Sequence, residues 1–166
     1  YPMMLTTASK AAELVREARA GGAIGIKLYQ DLDPAQVAAI VVAAHAAGMP
    51  VWGHAWVQPA SVLEQARAGQ DGVVHAAGLV GELLDRPARD SLRRSSALLR
   101  ITADSANVTA AGNPLILAAL DTLAARGTFL EPTLHATQLG AARANSRNRP
   151  APTLPERYAR AASGFG

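Results

Sequence analysis

The chain contains no cysteine. That excludes disulfides, thiolate zinc sites and a cysteine nucleophile, so any metal must be held by histidine, carboxylate or a modified side chain. Lysine is almost absent too: Lys10 and Lys27 are the only two, and arginine carries the rest of the basic charge. Aromatics make up only 4% of the residues, and the net charge is +3. The arginines lie at helical spacings and in "LRRSSALLR", with no basic stripe interleaved with aromatics, which argues against a nucleic-acid partner. Long apolar runs are missing as well. They are broken by His45 or Asp121 before reaching the ~20 residues that cross a bilayer, and no signal-peptide pattern opens the chain. No membrane partner is expected, and the cytoplasm is the default location.

What is present suits a globular fold: 166 residues, 49% hydrophobic and 17% charged, enough for one core. The hydrophobic pattern alternates between two periods. "SKAAELVREARAGG" has Ser9 as a capping-type residue and apolar positions at helical spacing, with a Gly pair as terminator. "AIGIKLY" is a short apolar run bounded by Gly, the pattern of a buried strand. Asp33 then caps, Pro34 occupies the first helical position, Gln36 completes a capping box, and "AQVAAIVVAAHAAG" runs to a Gly stop.

The rhythm repeats as strand "PVWGHA", helix "PASVLEQARAG" and strand "DGVVHAAG". Apolar strands separated by helices of this length predict parallel βαβ units with right-handed crossovers. After Leu79 the pattern loosens into helical pieces joined by turns. Asn113 and Pro114 open another helix, "NPLILAALDTLAARG", leading to strand "TFLEPTL". The tail is rich in Arg, Asn, Pro and Gly; positions 141–155 read as a mobile loop, and "PERYARAAS" begins one more helix. The expected fold class is α/β, with about four βα units around parallel strands, in a single domain over 1–166.

Unusual residues fall at equivalent places. Lys27 lies on the first strand, His54 ends the second, His75 ends the third, and Thr133 and His135 lie at the end of the fourth. In a parallel sheet or barrel these C-terminal ends converge, and active sites of such folds lie at that rim. A lone histidine on an apolar strand is usually a packing residue, but the shared register of Lys27, His54 and His75 is harder to dismiss. Burying a charged Lys27 between Ile26 and Leu28 is costly unless it is paired or chemically altered. Tyr29 shares the face of Lys27 and is a candidate substrate contact. Trp52 shares the face of His54 as a packing wall. His45, in mid-helix between alanines, reads as structural.

Taken together, "GAIGIKLY", "AAHAAGMPVWGHA", "AGQDGVVHAAG" and "LAARGTFLEPTL" resemble the amidohydrolase superfamily, in particular its imidazolonepropionase-like and prolidase-like members. The likeness spans about Ala18 to Leu134. It implies a (β/α)8 barrel of TIM type with one or two divalent metal ions, commonly zinc, at the C-terminal rim. It also implies that Lys27 is carboxylated and bridges two metals, while His54 and His75 bind the second. Metal-bound hydroxide would then attack an amide, a cyclic amide or a related C–N bond of a small-molecule substrate.

The departures are as informative. The family's His-x-His pair is missing, since the four histidines are at 45, 54, 75 and 135, and no strand-end Asp in the family's context supplies a general base. Val74 stands where relatives often carry Glu before the histidine. The expectation is therefore the middle of a longer protein, strands four to seven of the barrel. Such a piece alone would be inactive and, with unpaired edges, prone to associate with a second copy. An esterase or phosphoesterase on the same metal centre, or a non-catalytic α/β domain binding an anionic small molecule, are the alternatives. His135 is the second candidate substrate contact, and Glu131 a group that orients a ligand.

Overall fold

A computed structural model of the chain describes residues 3–85, 87 and 113–133. These fall within one compact unit, Tyr1–Leu134; the unit His135–Gly166 lies outside the described residues, as do the loop expected over 141–155 and the helix expected from Pro155. Of the helical pieces expected after Leu79, the end of a 3₁₀ segment, Ala76–Leu83, the two residues after it and one helical position, 87, are described.

The fold is α/β; among the described residues there are four parallel strands, in the order β1-β2-β3-β4. They are β1 (Ile26–Leu28), β2 (Val51–His54), β3 (Gly72–Val74) and β4 (Phe129–Glu131). Helices alternate with them: α1 (Ala11–Ala20), α2 (Pro34–Ala46), α3 (Val62–Ala68) and α4 (Pro114–Arg126). Each helix packs on the next, so the four form one layer on one side of the sheet. Among the described residues, none is long and apolar enough to cross a membrane.

Local chemistry explains most of the boundaries. Asp33 accepts the Gln36 N–H at 2.8 Å and its own N–H donates to Gln36 Oε1 at 2.9 Å, closing the expected capping box of α2. Asn113 Oδ1 accepts the Leu115 N–H at 3.0 Å, and Gly127, in the left-handed region at φ 67°, stops α4. Two helix starts differ from expectation. Ser9 caps nothing; it lies in a 3₁₀ turn, Ala8–Lys10, and its hydroxyl pairs with Thr7 Oγ1 at 3.0 Å. The third helix begins at Val62 rather than near Pro59, because Ser61 and Glu64 form a second capping box. Pro59 instead pairs with Leu32 in a short parallel bridge between the loops that follow β1 and β2.

The alternation of the strands sorts their side chains. Leu28, Gly53, Val73 and Leu130 lie in register and face the helix layer. Gly53 is required there: a Cβ would come within 2.7 Å of the backbone oxygen of Leu28. Val37, Val41 and Ala44 of α2 pack with Leu28, Met49 and Val51 into one core cluster; Ala66, Val73, Ala119 and Leu123 build a second. Each fully buried Val or Leu contributes roughly 1.5–3 kcal/mol. At the N-terminal end of the sheet Asp71 Oδ2 accepts the Val51 N–H at 2.7 Å and pairs with His45 Nε2 at 2.9 Å. His45 is thus structural, as expected, joining α2 to the start of β3.

Candidate functional site

The opposite face of the sheet carries Lys27, Trp52, Gly72 and Phe129 in one row, and His54, Val74 and Glu131 in the next row toward the C-terminal ends. Among the described residues no helix covers it, and Lys27 and Phe129 are exposed. The ring of Phe129 lies in the space that a Cβ on Gly72 would fill. Lys27 is therefore not buried between its apolar neighbours, a correction to the sequence expectation: alternation turns Ile26 and Leu28 away from it. The desolvation argument for altering its amine lapses with that burial.

Two imidazoles and a phenol meet at the end of β2. The ring centroids of His54 and His75 are 4.6 Å apart, and Tyr29 meets His54 edge-on, also at 4.6 Å. Burial, then the charges of His75 and Lys27, lower the pKa of His54 to about 4. The ring is accordingly neutral at neutral pH, and its Nε2 is buried with no hydrogen-bond partner. A buried polar atom without a partner calls for an explanation, and a ligand is one.

His75 reaches this face against the strand period. It follows Val74, which points to the open face, so continued alternation would send it toward the helices. Instead its backbone turns into the left-handed region at φ 69°, which brings the ring beside His54. Its Nδ1 lies 3.1 Å from Thr133 Oγ1. Four non-glycine residues among those described have positive φ: Asp31, Gln58, His75 and Thr133. Each follows the C-terminal end of a different strand, and each such conformation costs ~1–3 kcal/mol. Strain gathered along one rim is typical of a functional site.

The candidates thus divide clearly. The structure brings Tyr29, His54 and His75 into contact, with Lys27 close enough for its charge to act on His54. His135 lies outside the described residues. Sequence reasoning assigned Thr133 no role, although its neighbour Pro132 and its place at a strand end were the available signals. A groove of about 500 Å³ runs along the β1 edge, lined by apolar residues such as Leu5, Leu14 and Ile26, and reaches Lys27, Tyr29 and Asp31. That volume is in the range of small-molecule sites.

As donors for a divalent cation, a neutral imidazole with an orphaned Nε2 and a second imidazole beside it fit by chemistry. Among the described residues no group of three or more His, Asp or Glu side chains is gathered to hold an ion. Comparison with protein-family models, with curated proteins and with solved structures found no match to this chain.

Proposed function

We propose that the chain supplies part of the active site of a metal-dependent hydrolase of amidohydrolase type, acting on an amide, a cyclic amide or a related C–N bond. The observation that carries this reading is the meeting of His54 and His75 at the C-terminal rim, with His54 neutral and its Nε2 unpartnered. The sequential strand order, with all four described helices in one layer, supports the finer reading of the fold as four βα units of a (β/α)8 barrel. A doubly wound sheet would reverse its order and place helices on both faces.

His54 and His75 would hold the cation, probed most simply as zinc, with Lys27 as a further ligand after its amine takes up carbon dioxide and releases a proton to form a carbamate. When bound, such an ion supplies Lewis acidity and activates water for attack on a carbonyl. The chain's own residues do the rest. The apolar strands hold both imidazoles at the rim. Tyr29, at the mouth of the groove and against His54, contacts the substrate, whose apolar portion lies along β1.

Metal analysis and hydrolysis assays on the full-length protein and its Lys27→Ala and His54→Ala variants test this. We expect each variant to lose bound zinc and at least 100-fold in rate, the scale at which ligand-shell changes act. Unchanged metal content and rate in both would reject the assignment. Wild-type protein with neither bound metal nor hydrolysis would favour instead an anion-binding domain, in which the exposed Lys27 charge does the recognition.

A further inference from the structure

Building on the cation-binding reading of His54 and His75, we propose that Thr133 is a positioning residue. A cation on Nε2 leaves the ring proton of His75 on Nδ1, and Thr133 Oγ1, which can accept as well as donate, stands where it accepts that proton and holds the ring in that tautomer. Glu131 holds Thr133 in place. Three hydrogen bonds close a ring between the ends of β3 and β4. The His75 N–H donates to the Glu131 carbonyl at 2.9 Å, the Thr133 N–H donates to Glu131 Oε1 at 2.9 Å, and Thr133 Oγ1 meets His75 Nδ1 at 3.1 Å.

Both side chains in the last contact stand on left-handed backbone, φ 69° at His75 and 48° at Thr133. For threonine, branched at Cβ, that conformation is a genuine outlier. The strain delivers Oγ1 to one particular nitrogen of an imidazole that has itself been turned onto the site face. An imidazole whose Nδ1–H is donated is a ligand through Nε2 alone, and Nε2 is also the atom left unpartnered on His54. The two rings then present the same kind of donor. Hydrogen-bond partners of this kind set ligand orientation and typically change metal affinity ~10–100-fold.

The test uses the full-length protein and its Thr133→Val and Thr133→Ser variants, with imidazole 15N shifts assigned through His75→Gln and zinc affinity measured by chelator competition. The wild type and Thr133→Ser should show His75 protonated at Nδ1. Thr133→Val should give mixed tautomers and bind zinc ~10–100-fold more weakly, with unchanged circular dichroism. Should Thr133→Val fail to fold, Thr133→Ala removes the hydroxyl together with the branch that disfavours this backbone. An Nδ1–H tautomer that persists in the hydroxyl-free variants overturns the proposal, as does an Nε2–H tautomer in the wild type. A tautomer that follows the hydroxyl in protein that binds no zinc upholds Thr133 as the positioning group and rejects the cation reading alone.

Discussion

His54 is the residue on which the physics of the site concentrates. Its pKa is lowered from 6.5 to about 4, by burial first and then by the positive charges of His75 and Lys27. The sign of the consequence follows from proton counting. Between pH 6.5 and 4 the unfolded chain takes up a proton at this position that the folded chain refuses, so stability falls as pH drops through that window and levels off below it. We expect the His54 ring signals to titrate with a midpoint near 4. The urea midpoint should be lower at pH 5 than at pH 7, by less in His54→Gln. A ring that titrates near its ordinary value would show that the burial of His54, and with it the contacts with His75 and Lys27, does not persist in solution. Asp71, at the other end of the sheet, behaves differently. Burial alone would raise its pKa, but the Val51 N–H and the His45 ring outweigh that and hold it below the usual carboxylate value.

At the level of elements, the helix starts are decided by a few side chains. Asp33, Pro34 and Gln36 were readable as a start because a capping box is a local pattern, and the bonds form between residues three apart. Ser61 and Glu64 obey the same rule, whereas Ser9 carried the right residue type without a glutamate or glutamine three positions on. The helix α2 packs against both α1 and α3 and supplies Val37, Val41 and Ala44 to the core. Loss of its cap should therefore be felt throughout the fold. Asp33→Ala should cost about 1 kcal/mol, a fall of about 2–4 °C in Tm for a chain of this size, measured by thermal melting. An unchanged Tm would mean that Pro34 and the packing of the helix fix its start without the carboxylate.

At the scale of the whole sheet, the decisive feature among the described residues is its asymmetry, with helices on one face and a row of Lys27, Trp52 and Phe129 that no described helix covers on the other. Among the described residues β1 and β4 each have one neighbour, and Phe129 at the β4 edge is 55% exposed. Exposed edges and apolar side chains drive association. Light scattering on the 166-residue chain should show mass rising with concentration, and Phe129→Glu should reduce it; a monomer at all concentrations would show that the face is covered. The alternation of strand and helix patterns determined the parallel sheet and the common face of Lys27 and His54, because both depend on periods of two and 3.6 residues along the chain. The shared register expected of Lys27, His54 and His75 does not hold, since Lys27 pairs with Trp52, His54 pairs with Val74 in the next row, and His75 lies beyond β3. Tertiary structure alone decided that Lys27 is exposed, that His75 turns out of the strand period toward His54, and that Thr133 meets it across 58 residues. Those outcomes depend on which segments fold against one another and on backbone strain that packing must sustain, and neither is written in local spacing.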